Sequence, residues 1–218
     1  MVNIIKGSSL ADKNFPFGYI TAKFPSPEKW DRAAFRTLAE KEISALKDRY
    51  IEYDRKSVWA DNPYYRFFKK FKKTYPVMLQ FESVVFKDRP FPDFNPISEI
   101  AFLFELTTFV LSGAHDINCI DGDVVLYQAT EKEDFEGMRE TLHTYPGDMC
   151  AKDKSGIIFS EIAGTDRRTC AKPDSTYVLY PLFAVPDMDT AILERAAVTL
   201  ERYILTLAPG TEIKTYIV

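Results

Sequence analysis

The chain is poor in the residues on which most enzyme chemistry depends. Its 218 residues include two histidines, His115 and His143, and three cysteines, Cys119, Cys150 and Cys170, with no CxxC pair among them. An odd, widely spaced cysteine set supports neither a disulfide framework nor a zinc site, and three small buried hydrophobes are the simpler reading. There is no GxSxG elbow, no glycine-rich phosphate loop and no histidine pair at metal-ligand spacing, so nucleophile triads, ATP chemistry and zinc hydrolysis lack their residues. No metal or other cofactor is expected. No segment combines a basic start with the apolar stretch of a signal peptide, and no apolar run reaches bilayer length, which predicts a cytoplasmic location and no membrane partner. Positive charge is also short: 28 Lys and Arg against 32 Asp and Glu give a net charge of -4. That balance argues against coating nucleic acid nonspecifically, which needs a broad positive field, and leaves only local patches.

What the chain does have is apolar mass. Hydrophobic residues make up 46%, with 17 Phe and 12 Tyr, enough for one sizeable aromatic core with room for a pocket. From Ser26-Pro27-Glu28 onward, Trp30, Phe35, Leu38, Ile43 and Leu46 recur at three-to-four spacing against Glu40, Lys41 and Lys47, which predicts one amphipathic helix to about Tyr50. A second runs from Asp189 to about Ala208, with Leu193, Ala196, Leu200, Tyr203 and Leu207 inward and Pro209-Gly210 stopping it. Strands are expected near 81–86, 123–129, 157–162, 176–184 and 211–217. This order predicts an α+β class: mixed β-sheets around a buried helix, with flanking amphipathic helices, packed as one unit.

The buried helix is the most informative segment. Asn95-Pro96 opens it, Ser98 and Glu99 place oxygen acceptors near its first turn, and Ile100, Phe102, Leu103, Phe104, Leu106 and Phe109 leave it no polar face. It should be buried on all sides over 97–111 and lead into the turn that lines the largest pocket. Gly113 frees the backbone at its exit, and Ala114-His115-Asp116-Ile117-Asn118 follows, before Asp121-Gly122 turns the chain into a strand.

Between Tyr64 and Tyr75 five cations (Arg66, Lys69, Lys70, Lys72, Lys73) alternate with six aromatics. Either the cations neutralise phosphates while an aromatic stacks on a base, or Tyr64, Phe67, Phe68 and Phe71 form the inner stripe of a short helix whose wet face is basic.

The helix, the GAHDINCIDGD turn and the following strand resemble the B-three/four domain, the tRNA-editing module of the phenylalanyl-tRNA synthetase beta subunit, which also occurs as a free-standing protein. The resemblance extends through Pro146-Gly147-Asp148, Asp153-Lys154-Ser155-Gly156 and Arg167-Arg168-Thr169, leading to Ser175-Thr176, and covers about two thirds of the chain in order. It implies an editing-type domain over 61–218 and an N-terminal extension with its amphipathic helix over 1–60. The family's helix asparagine falls on Phe102 here, its exit histidine on Gly113, and the acid that meets a substrate hydroxyl on Tyr180. The implied ligand is tRNA or aminoacyl-tRNA, and the implied activity is hydrolysis of mischarged aminoacyl-tRNA, an activated ester that needs a positioned water and donors to the oxyanion more than a nucleophile. A non-catalytic module that binds an amino-acid-like small ligand or a protein partner is the alternative.

Within that reading the expected site has His115 and Asp116 as its catalytic pair, with Gly113, Asn118, Thr165, Arg167, Arg168, Thr169 and Tyr180 around the substrate. His115 either orients a water as a neutral base or is a histidine bonded at a helix exit. Asp116 holds that imidazole or a substrate amine, or it caps its turn. The segment Gly164-Thr165-Asp166-Arg167-Arg168-Thr169 offers guanidinium forks for phosphate or carboxylate, or it is a charged hairpin tip. Arg66, Lys69, Lys70, Lys72 and Lys73 are the candidate RNA contacts, and His143 reads as a surface side chain.

Overall fold

The computed structural model describes residues 2–10, 13, 15–186 and 188–217. In chain order the elements are β1 (Ile4–Lys6), β2 (Gly18–Lys23), α1 (Arg32–Arg49), α2 (Arg55–Trp59), α3 (Pro63–Lys70), α4 (Pro76–Val85) and α5 (Pro96–Thr108). There follow β3 (His115–Asp116), β4 (Val124–Gln128), β5 (Asp134–Glu136), β6 (Thr141–His143), β7 (Met149–Asp153), β8 (Gly156–Ser160), β9 (Gly164–Thr165), β10 (Tyr177–Leu182), α6 (Thr190–Leu207) and β11 (Glu212–Ile217). The class is α+β. One sheet runs β1-β4-β7-β8-β9, parallel only between β1 and β4, and a second runs β11-β2-β10-β3, antiparallel throughout, with β5-β6 a separate hairpin.

α5 is the core helix that its apolar composition predicts. Asn95 Oδ1 accepts from Ile97 N and Ser98 N at 3.1 and 3.3 Å, while Glu99 Oε1 reaches back to Phe94 N and Asn95 N at 2.7 and 2.9 Å. Each side chain thereby satisfies amides that the helix start leaves open. Ile97, Ile100, Leu103, Phe104 and Leu106 are enclosed, and Phe102 is half-buried against Phe91. α6, α4 and α1 all pack on this helix. It ends at Phe109, whose φ of 57° is left-handed, a conformation that usually selects glycine. The Trp59 ring 4.5 Å away, the Phe81 ring at 5.1 Å and a hydrogen bond from the Tyr75 hydroxyl to Phe109 O hold it there.

Four expectations need correction. Residues 81–86 are not a strand: 81–85 complete α4, where Pro76 occupies the first helical position and Val77, Met78, Phe81, Val84 and Val85 are buried at helical spacing. A short apolar run does not separate buried strand from buried helix. α1 begins later than Ser26, because Asp31 Oδ1 accepts from Ala34 N at 2.8 Å and Pro27–Lys29 forms its own 3-10 turn. β2 and β7 were not anticipated; both are buried on two faces and so lack the alternation that marks a half-wet strand. A cleft of about 470 Å³, larger than the one at the α5 exit, lies along α1 beside Ile43, Lys47, Val84 and Phe91.

The first sixty residues are built into the core. β2 pairs with β11 on one side and β10 on the other, and α1 packs against α6.

Candidate functional site

The α5 exit turns across the end of β10. Ser112 bridges to Leu182, its hydroxyl donates to Pro181 O at 2.7 Å, and its amide donates to Glu105 Oε1 at 3.0 Å. Glu105 lies inside the apolar α5, and desolvation pushes its carboxyl up to about 8, with the Ser112 N–H pulling the other way. Three residues on, β3 pairs with β10 and bridges Cys170, so His115 is enclosed on both sides.

His115 is fully buried, and its Nδ1 lies 2.8 Å from Thr169 Oγ1. Thr169 Oγ1 is in turn hydrogen-bonded to Asp166, which also accepts from Thr169 N. Burial raises the Asp166 carboxyl, while its bonds from Thr169 and the charge of Arg168 favour the ionised form. An ionised carboxylate only accepts, so the Thr169 hydroxyl donates to Asp166 and receives the His115 Nδ1–H. The imidazole is then neutral with its Nε2 lone pair free, and desolvation pulls its pKa down to about 3. Nε2 has no hydrogen-bond partner. It faces the Gly113 backbone: a Cβ built on Gly113 would stand 3.7 Å from His115 Nε2 and 3.5 Å from Thr165 Oγ1.

Thr165 and Ser112 share the wall of a cleft of about 290 Å³. Phe68, Leu111 and Phe183 make its apolar sides, Lys73 and Thr74 its exposed end, and Ser160 and Glu161 are buried polar residues in its lining. Neither carboxyl oxygen of Glu161 has a hydrogen-bond partner, and burial, aided by the nearby Asp148 charge, raises its pKa far above the carboxylate range. Asp148 bonds to the Ser160 hydroxyl and to Ile162 N, and desolvation holds it up to about 6. A second depression of about 300 Å³ shares Lys73, Ile162 and Ala163 with the cleft and adds His143 and Tyr145, whose ring centroids are 4.8 Å apart. Lys73 Nζ stands 5.1 Å above the Tyr145 ring. The two hollows adjoin at Lys73, Ile162 and Ala163, and together they are called the groove.

The fold therefore brings Gly113, His115, Thr165 and Thr169 together and spreads out the other expected site residues. Asp116 caps its turn, accepting from Asn118 N at 2.9 Å and from the Ser175 hydroxyl at 2.6 Å. Asn118 is exposed. Arg168 forks onto Asp153 with two 2.9 Å bonds and donates to Cys119 O, and Arg167 borders a different hollow beside Glu136 and Gly156. The Tyr180 hydroxyl is buried and donates to Ile97 O at 3.1 Å.

In the basic stretch, α3 buries Tyr64, Phe67 and Phe68 and exposes Arg66, Lys69 and Lys70, and the turn after it exposes Lys72 and Lys73. Arg66 pairs with Asp61 and donates to Ala60 O, and Lys69 and Lys70 lie over the rings of Tyr65 and Phe67. The helical spacing thus accounts for the aromatics, while the cations form one wet face that reaches Lys73 at the groove.

Sequence reasoning missed Glu161, Ser112 and Tyr145, because a lone acid in a strand-like run carries no signal until its neighbours are known.

The molecule defined by these observations is an α+β domain with a groove at the exit of a buried helix. No helix among the described residues is long and apolar enough to cross a membrane. Neither a protein-family model nor a curated protein matches the chain. Among solved structures, an N-terminal fragment of the phenylalanyl-tRNA synthetase beta-subunit from Pyrococcus horikoshii is similar over 97% of this chain, with a TM-score of 0.50 and 10% identity. The chain spans 50% of that fragment's length. At this identity the likeness is one of fold.

Proposed function

We propose that this chain is a free-standing relative of the B-three/four editing domain that binds the aminoacyl end of tRNA and hydrolyses mischarged aminoacyl-tRNA in the cytoplasm. In this reading 61–218 is the editing-type unit and 1–60 its extension. The observation that carries it is the groove. Its inner cleft, about 290 Å³, has the volume and apolar walls for an amino-acid side chain, and its outer depression pairs Tyr145 and His143 with Lys73, a stacking and cationic surface suited to a terminal nucleotide. The exposed cations of α3 extend from that end, where they can follow a phosphate backbone. The fold shared with a tRNA synthetase fragment supports the reading.

Hydrolysis here would rest on holding the ester and one water, with Thr165 as the hydroxyl donor and His115 as a positioning group. Gly113 leaves room beside both. Thr169 fixes the His115 tautomer, Asp116 holds the turn after β3, and Tyr180 ties β10 to the start of α5.

The second reading, a module that binds an amino-acid-like ligand without chemistry, is favoured by one fact: His115 is fully enclosed and is not part of the cleft surface. One experiment separates the two. A panel of mischarged tRNAs is incubated with the purified protein while thermal shifts are recorded against free amino acids. Deacylation above the buffer rate supports the editing reading, whereas thermal shifts without deacylation support the binding module.

A further inference from the structure

The inner end of the cleft is acidic without any compensating base. Glu161 is 4% exposed and both of its oxygens lack partners. Its charge is felt at the buried hydroxyls of Tyr64 and Tyr75, as is that of Glu105, and Asp148 lies near enough to act on it. No lysine or arginine is buried among the described residues. Buried polar groups in folded proteins almost always find partners, so two orphaned oxygens on a residue that lines a ligand-sized cleft need an explanation. The neighbouring acids are accounted for: Asp148 takes Ser160 and Ile162 N, and Glu105 takes Ser112 N. Glu161 alone is left open.

We propose that Glu161 receives the protonated primary amine of a small ligand whose apolar body lies between Phe68, Leu111 and Phe183. This rests on the groove assigned above and names what its inner end recognises, namely the α-ammonium group of an aminoacyl moiety or the amine of a free amino-acid derivative. An ammonium supplies three donors to a carboxyl that has no partner, and is favoured by the aromatic faces beside it. A metal ion would need several ligating side chains, and the described residues hold no cluster of three that could bind one. A neutral amide would satisfy the oxygens without the charge-assisted bond that an ammonium makes. Burial pushes the Glu161 carboxyl up, and a bound ammonium pulls it back towards its ionised form, so binding is linked to proton release.

The test uses the full chain, L-phenylalaninamide, and its desamino counterpart 3-phenylpropanamide, which has the same ring and amide but no amine. Calorimetry in buffers of different ionisation heat reads affinity and proton release together. The expected result is binding of the amine at least about tenfold tighter than the desamino analogue, accompanied by net proton release from the protein. Glu161→Gln should remove both the preference and the proton release. Because the ligand pair alone discriminates on the unmodified protein, the inference stays falsifiable even if that variant folds poorly. Equal affinity for the two ligands, no binding of the amine, or unchanged proton release in Glu161→Gln would each overturn it. Amine-selective binding by a protein that deacylates no mischarged tRNA leaves Glu161 as the amine receptor and removes the tRNA ester as substrate. Deacylation that Glu161→Gln leaves untouched overturns the amine assignment alone.

Discussion

Thr169 fixes the tautomer of His115: the hydroxyl, committed as donor to Asp166, accepts the imidazole Nδ1–H at 2.8 Å and leaves Nε2 with a free lone pair beside Gly113. The chain of three runs between β9, the turn after it and β3, so it ties the α5 exit to the 164–169 segment without exposing any member.

Removing the central hydroxyl should be felt at once. Thr169→Val keeps the shape but leaves the buried His115 Nδ1–H and one Asp166 lone pair unpaired, an expected loss of about 1–3 kcal/mol in denaturant unfolding. If the protein deacylates tRNA, His115→Ala should slow it only severalfold, since the imidazole orients and does not reach the cleft surface. A loss of about a hundredfold or more, the range of a general base, would instead make it the proton acceptor.

The core prediction concerns α5. Phe104 is fully buried between α5 and its packing partners, so Phe104→Ala should cost about 3–5 kcal/mol through the cavity it leaves. Chemical denaturation measures it directly. A cost below about 1 kcal/mol, the size of a surface change, would contradict the burial.

Glu105 gives the fold a pH dependence of known sign. The unfolded chain ionises this carboxyl near the ordinary glutamate value of 4.5, but the native state keeps the proton until about 8. The contribution is therefore fully present below 4.5 and is lost as pH rises from 4.5 through about 8. Glu105→Gln removes that component, so the stability of the variant relative to the parent should climb across this window in urea titrations at stepped pH. A constant difference would mean that Glu105 ionises normally in the native protein.

The wet face of α3 supplies a test on RNA. Replacing Arg66, Lys69, Lys70, Lys72 and Lys73 with glutamine should weaken tRNA binding and flatten its dependence on salt, because each cation that meets a phosphate releases counterions. Filter binding across a salt series reads both. Unchanged affinity and slope would leave those cations as a solvated helix face.

Much of the fold is written in local chemistry. The apolar run from Ile100 to Phe109, opened by Asn95-Pro96, determined a buried helix, and the three-to-four spacings in α1 and α6 determined two amphipathic ones, because burial face and helical period leave the same mark wherever the chain lies. In α3 the aromatic spacing determined the inner stripe and hence the outer basic face. Tertiary structure decided where period and composition are silent. Phe81 to Val85 became helix because α1 and α5 cover them on both sides, a context that the residues do not encode alone. It also decided the site: Arg168, a candidate for phosphate, was taken by Asp153, and Tyr180, placed by resemblance at the substrate, was closed over by α5. Glu161 went unremarked in the sequence, yet it lines the cleft with both carboxyl oxygens unpartnered. Partner choice is a long-range property, since a carboxyl's environment depends on which distant walls are folded against it, and only the packed chain fixes that.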